Sequence, residues 1–391
     1  MNVSDGQWLR LREELREAAP ELGIDKIGFA SADPFTELKG ILLKHREKGF
    51  ESGFEERDIE KRVNPALSLE EPQSIISIAV AYPSKLKDPP RSEPGAYRGM
   101  LSRSAWGTDY HHVLRSRLER LEAWIQERVP EARMQSMVDT GALVDRAVAE
   151  RAGIGYVGSN CAVITPEFGS WVYLGEMITN IPFPPDQPIT DSCGDCTICI
   201  DACPTGALVG PGQLNAQRCV SFLTQTKGII EDDELKRKIG NRLYGCDTCQ
   251  IVCPKNKGIH FDRHPELAPD PEQVKPLLKP LLSMSNREFK ERFGTSAAAW
   301  RGKKPIQRNA ILALGNFRDA SSVPQLLELL RADERPEIRA TAAWALGRIG
   351  GEAVPEALAA AVAKETDVAA RREIEKAQAA VAGEGTGEAE A

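Results

Sequence analysis

The sequence predicts three architectures in series: an α/β (α+β) domain, a ferredoxin-like module and an α-helical repeat domain. Three observations carry this. Amphipathic stretches alternate with short β-branched runs over the first 185 or so residues, eight of the nine cysteines fall between Cys193 and Cys253, and the last hundred residues repeat themselves. The expected segments are 1–185, 186–262, a linker at 263–284, helical repeats at 285–383, and a disordered acidic tail at 384–391, GEGTGEAEA being small and acidic.

The opening MNVSDGQWLRLREELREAA has the apolar spacing of a charged amphipathic helix and lacks the apolar core of a signal peptide. DPFTELKGILLKHREKG is helical by the same criterion. SIISIAVAYP, from Ser74 to Pro83, is a β-branched run ended by proline and predicts a buried strand. DYHHVLRSRLERLEAWIQERV predicts a long helix with Asp109 at its start, so His111 and His112 read as helix residues. ALVDRAVAERAGI predicts another helix, stopped by Gly153 and Gly155. AVITPEFGSWVYLGEMIT reads as two strands around a Pro/Gly turn. DRHPELAPDPEQVKP has the composition of a linker. Beyond it, NAILALGNFRDASSVPQLLELL resembles TAAWALGRIGGEAVPEALAAAV at a period of 31 to 32 residues. Helix, glycine turn, then a proline-opened second helix is a HEAT-like unit, which buries its apolar face against its neighbours.

Cys193, Cys196, Cys199 and Cys203, followed by Pro204, match C-x2-C-x2-C-x3-C-P, the bacterial ferredoxin run for 4Fe–4S clusters. The fourth cysteine of that run serves a second cluster, and Cys219, Cys246, Cys249 and Cys253 supply the partners. The crossed pattern assigns Cys193, Cys196, Cys199 and Cys253 to one cluster and Cys203, Cys219, Cys246 and Cys249 to the other. Structural zinc is the competing use of C-x2-C pairs, but zinc needs neither the third cysteine nor the C-P. Cys161 stands apart and reads as a small buried residue.

With 391 residues, 41% of them hydrophobic, the chain can build two or three cores. It has no apolar run of membrane-spanning length, and clustered thiols without a leader indicate the cytoplasm. A net charge of −7 argues against a general nucleic-acid binder such as a DNA-binding protein. No GxGxxG follows a strand, and DYHHVL carries Leu114 where a cobalt-ligating D-x-H-x-x-G loop needs glycine.

MVDTGALVDRAVAERAGIGYVGSNCAVITPEFGSWVYLGEMITN, the two-cluster cysteine run, SAWGTDYHHVL and WRGKKPIQRNA together resemble the epoxyqueuosine reductase family over nearly the whole chain. The resemblance implies that the first domain binds cobalamin base-off, without a protein histidine on cobalt, beside two 4Fe–4S clusters fed by an external low-potential donor. It implies reduction of epoxyqueuosine to queuosine at the wobble position of tRNAs for Tyr, His, Asp and Asn, by a monomer. Asp139 of VDTG is then the proton donor. Read without the resemblance, Asp139 is a helix N-cap, a role Thr140 could also take. The implied cofactor contacts are Arg57, Tyr110, Asp139, Arg146 on the same helix face as Asp139, and backbone donors from the turns at 155–160 and 167–170, here Gly155, Gly158, Asn160, Gly169 and Ser170.

The densest basic stretches are LKRKIGNRLYG and WRGKKPIQRN. In the second, Arg301, Lys303, Lys304 and Arg308 are the expected contacts to the tRNA anticodon stem-loop, with Trp300 stacking on a base or capping the repeat core. Two other readings stay open on the residues alone: a cobalamin and iron–sulfur reductase of a small molecule such as an organohalide, and a non-enzymatic electron-transfer adaptor.

Overall fold

A computed structural model of the protein describes residues 3–384, so the proposed acidic tail lies almost wholly outside the described residues. The chain's contacts form two compact units. The first comprises residues 1–85, 107–219 and 247–268; the second comprises 86–106, 220–246 and 269–391. This division differs from the serial segments read from sequence. The inserted stretch 220–246 belongs with the helical repeats, and so does most of the expected linker.

The first unit is built on a four-stranded antiparallel sheet of β1 (Lys26–Ser31), β2 (Ser74–Ala81), β3 (Met134–Met137) and β4 (Val172–Thr179), in the order β1-β2-β4-β3. All eight residues of β2 are buried because both sheet faces are covered. Successive strand side chains point to opposite faces. Ile76, Ile78 and Val80 meet Leu11 and Leu15 of α1 (Val3–Ala18) and Leu114, Leu118 and Leu121 of α3 (Tyr110–Gln126). Ile75 and Ala79 meet Leu42 of α2 (Thr36–Glu47) and Val148 and Ala149 of α4 (Asp145–Arg151). The two strands read around the Pro/Gly turn form, but Val163–Ile164 pairs with Tyr156–Val157, while β4 joins the main sheet. β1 and β3 carry no pattern that predicts them.

The second unit contains the repeats: α5 (Lys303–Phe317), α6 (Val323–Ala332), α7 (Pro336–Ile349), α8 (Val354–Lys364) and α9 (Val368–Glu384). The repeated A-L-G has a packing reason. A Cβ on Gly315 would stand 3.0 Å from Ala345 Cα, so glycine lets successive first helices approach closely. The expected linker is not loose: Val274, Leu278, Leu281 and Leu282 are buried there, on short helical segments.

Arg308 requires a correction. It is 1% exposed, with Nη2 donating to Leu223 O at 2.6 Å and Nη1 to Gly228 O at 2.9 Å. Asn309 donates beside it to Thr224 O and Leu243 O, both at 2.8 Å. The Arg-Asn pair therefore fastens the inserted stretch to α5 and is not an RNA contact. Burial lowers the Arg308 pKa to about 10, which leaves it charged at neutral pH. Lys236, from the other basic stretch, is likewise buried in an ion pair with Glu373. Arg308→Met should destabilise the protein by about 3 kcal/mol, since it strands several buried carbonyls. Denaturant unfolding checks this; a change below about 0.5 kcal/mol, within the range of surface substitutions, would contradict it.

Candidate active site and cysteine module

The site begins at the first turn of α3. The Asp109 carboxylate caps the helix by accepting the His111 N–H at 3.0 Å, and it also meets His111 Nδ1 at 2.8 Å. One residue thus starts the helix and fixes the imidazole. Tyr110 stacks on Tyr173 of β4, with ring centroids 4.7 Å apart, and its hydroxyl donates to Asp139 Oδ2 at 2.8 Å. His111 Nε2 stands 3.4 Å from the same oxygen, an ion-pair contact.

Asp139 is not a helix cap, and neither is Thr140. Helix α4 begins only at Asp145, with Val144 at the N-cap position. Asp139 instead occupies the centre of a tight turn with φ +50°, closed by the Thr140 N–H onto Val138 O. A γ-turn of this hand is strained for a residue with a Cβ. The Asp139 N–H donates to Asp145 Oδ2 at 3.0 Å, which ties the turn to the start of α4. The turn borders an open cavity of about 400 Å³ lined by Ser68, Arg115, Ser136, Val138, Thr140 and Gly141. Arg146 does not share a helix face with Asp139; its Nη1 donates to Cys161 O at 2.6 Å. Arg57 is exposed, and its carbonyl accepts from Arg46.

The electrostatics place the proton on the histidine. His111 foremost, then Tyr110, holds the Asp139 carboxyl below its usual range, although burial opposes this. Burial alone would lower the His111 pKa, but Asp109 and Asp139 outweigh it and lift it to about 9. A donor aspartate kept neutral by burial is therefore not what the free protein shows. The sequence reading missed His111 and Asp109 as site residues; the D-x-H spacing at a helix start was the available signal.

The two glycine turns wrap the cysteine module. Gly158 N–H donates to Ala162 O at 2.9 Å, Gly169 N–H to Thr165 O at 3.1 Å and Ser170 N–H to Asn256 Oδ1 at 2.7 Å. These N–H groups are spent within the fold, contrary to the expected role as cofactor donors. A Cβ on Gly155 would fall 2.5 Å from Ile164 O, so that position serves close backbone approach. Ser159 N–H donates to Cys193 Sγ at 3.3 Å, and Cys161, buried as expected, packs against Cys199, Cys203 and Cys249. Among the described residues, Asn160 Nδ2 is a buried amide donor with no hydrogen-bond partner, so it would fit a ligand that presents carboxamide acceptors.

Burial raises the Cys253 thiol pKa, and nearby Cys193 and Cys196 add to it. Burial raises that of Cys199 too, with Cys253 and Cys193 adding. These four thiols are therefore neighbours. Burial opposes ionisation of Cys203, but backbone N–H groups of Leu208, Thr205 and Ala207 outweigh it. Among the described residues no three ligating side chains converge on a single ion.

In the second unit Trp300 is 50% exposed, and its indole N–H donates to Gln225 Oε1 at 2.9 Å. Arg301 stacks over that ring and donates to Gln225 O, Lys303 donates to Met284 O, and Lys304 pairs with Glu337.

The epoxyqueuosine reductase of Bacillus subtilis is 62% identical to this chain over 367 residues, covering 94% of this chain and 95% of that protein. The chain belongs to the epoxyqueuosine reductase family. It is therefore an oxidoreductase that acts on tRNA, and the adaptor reading is set aside. The family model described as epoxyqueuosine reductase QueG, DUF1730 matches residues 62–140, a 4Fe-4S double cluster binding domain matches 192–256, and HEAT repeats match 297–379. The Escherichia coli epoxyqueuosine reductase is 32% identical, covering 87% of this chain and 89% of that one. A crystal structure of epoxyqueuosine reductase with an epoxyqueuosine-modified tRNA-Tyr stem loop superposes with a TM-score of 0.94 at 60% identity, covering 96% of this chain and all of that one. A Bacillus subtilis structure whose catalytic aspartate loop is swung out of the active site superposes at 0.93 with 60% identity, again over 96% of this chain and all of that one.

A histidine whose pKa is raised on folding contributes stability that is fully present below its unfolded value of 6.5 and is lost as pH rises through about 9. Unfolding free energy should therefore fall across that interval by on the order of 2 kcal/mol, discounted because Asp139 is half exposed. Denaturant titrations at several pH values should show His111→Gln flattening this decline; an identical slope in the variant would contradict the assignment.

Proposed function

We propose that the enzyme reduces epoxyqueuosine to queuosine at the wobble position of tRNAs for Tyr, His, Asp and Asn in the cytoplasm, acting as a monomer. The reading rests most on one observation: the Asp139 carboxylate, half exposed beside a cavity, is held between the Tyr110 hydroxyl and the His111 imidazole. Removing the epoxide oxygen takes two electrons and two protons and releases water. When bound, cobalamin and two 4Fe–4S clusters supply the electrons, drawn from an external low-potential donor. Cys193, Cys196, Cys199 and Cys253 hold one cluster; Cys203, Cys219, Cys246 and Cys249 hold the other. Asn160, whose buried amide lacks a partner, would meet the corrin, with Tyr110 and Arg146 as further contacts.

The chain's own groups move the proton. At rest the Asp139–His111 pair carries one proton, on the imidazole. Asp139 takes it up and passes it from its carboxyl to the epoxide oxygen as the C–O bond breaks, and the second proton, which completes the released water, comes from solvent; Asp109 holds the imidazole in place throughout. Tyr110 donates to the carboxylate and fixes its orientation. Arg301, Lys303 and Lys304 contact phosphates of the anticodon stem-loop, and Trp300 offers a base a stacking face. The relative crystallised with a modified stem loop supports this partner, and the cysteine neighbours and double-cluster match support the clusters. No helix among the described residues is long and apolar enough to cross a membrane.

Single-turnover assays of the reconstituted enzyme on epoxyqueuosine tRNA test the assignment. Asp139→Asn should lose at least about a hundredfold in rate, the usual worth of a positioned general acid, with tRNA affinity kept. A rate within about threefold of wild type, a change too small for a lost general acid, would remove Asp139 from the chemistry.

A further inference from the structure

Behind the Asp139 turn lies a second pair of carboxyl groups that proton delivery does not use. Glu176 sits in the middle of β4, opposite Met137 of β3 and Ser77 of β2. It is 1% exposed, and neither carboxyl oxygen has a hydrogen-bond partner in the geometry described. It shares the sheet face of Leu174 and Ile178, the face covered by α4. There it meets Asp145, whose Oδ2 accepts the Asp139 N–H.

A carboxylate buried without a partner is costly, so Glu176 remains in its acid form. Burial foremost, with the charges of Asp145 and Asp139 adding, raises its pKa well above the usual carboxylate range. Burial and then the Asp139 charge lift Asp145 to about 6. An acid beside a carboxylate can satisfy both, because its hydroxyl donates to the ionised neighbour.

We infer that Asp145 and Glu176 share a single proton and so position the Asp139 turn. The Glu176 hydroxyl donates to the Asp145 carboxylate, and Asp145 keeps Oδ2 for the Asp139 N–H. Both are positioning residues, because Asp145 touches only the backbone of Asp139. The hold offsets the strain of the left-handed turn and aims the carboxylate at Tyr110 and His111. The arrangement has a pH window. As pH falls through about 6, Asp145 takes up a proton and becomes a weaker acceptor. At pH high enough to ionise Glu176, its charge repels Asp145 and Asp139. The groups facing the pair are Asp139 from the turn, His111 from α3 through Asp139, and the uncharged Met137 and Ser77 from the flanking strands. Arg115 lines the cavity that the turn borders.

Hydrogen exchange of residues 137–144 in the full-length protein, followed by mass spectrometry across pH, tests this without cofactor or substrate. In the wild type, protection should be greatest in the one-proton window. Glu176→Leu and Asp145→Asn should each speed exchange there about tenfold, the factor for one charge-assisted hydrogen bond lost. Glu176→Gln, whose amide can still donate to Asp145, should keep the protection and abolish its alkaline loss. Because Glu176 is uncharged, that variant should also be at least as stable as wild type. Unchanged exchange in Glu176→Leu and Asp145→Asn, an alkaline loss surviving in Glu176→Gln, or a Glu176→Gln protein that fails to fold would each overturn the inference. The functional role rests on Asp139 as proton donor, whereas the exchange readout does not. Turnover retained by Asp139→Asn would remove the former and leave the latter standing.

Discussion

One carboxylate, held on a strained turn between an aromatic hydroxyl and an imidazole, is the constraint the active site is built around. Asp139 at φ +50° is strained for a residue with a Cβ, and three contacts from two helices hold it there. Tyr110 and His111 come from the first turn of α3, and Asp145 from the start of α4. Each contact depends on the sheet. Tyr110 is fixed by stacking on Tyr173 of β4, β3 leads directly into the turn, and α4 covers one face. Asp109 links local and tertiary structure, since capping α3 and orienting His111 are done by the same carboxylate.

Where periodicity decides, the sequence was a good guide. The helices at 36–47 and 110–126, the buried strand at 74–81 and the paired repeat helices follow from apolar spacing and punctuation. The strands β1 and β3 escaped because they are short; β3, MQSM, carries no β-branched residue. The helix containing ALVD began several residues late, because the turn tied to Asp145 displaces its N-terminus. That late start removed both the cap reading of Asp139 and the shared face with Arg146. His111 was legible as a helix residue, but its role depends on a contact across 28 positions in sequence, which no local pattern announces. Glu176 gave no signal either: within a strand, one glutamate looks like a solvent-facing residue.

Cations misled for a related reason. A cluster such as WRGKKPIQRN looks like an electrostatic surface, yet Arg308 is wholly inside and ties backbone carbonyls together. Arginine suits that task because its planar fork satisfies several acceptors at once. The half-buried Arg301, Lys303 and Lys304 remain beside Trp300, so the basic character at the start of α5 is narrower than the sequence suggests. Around the cysteines the correction runs the other way. Turns read as a cofactor cradle are spent within the fold, with Ser159 donating to Cys193 and Asn256 locking Ser170.

The account stands on the proton shared by His111 and Asp139. Nuclear magnetic resonance of isotope-labelled imidazoles reads it directly, and five histidines make the assignment tractable. His111 should titrate near 9 in the wild type and move down towards 6.5 when Asp139 is replaced by asparagine. A His111 that titrates near 6.5 in both proteins would show that the pair does not hold the proton, and the proposed proton delivery would fail with it.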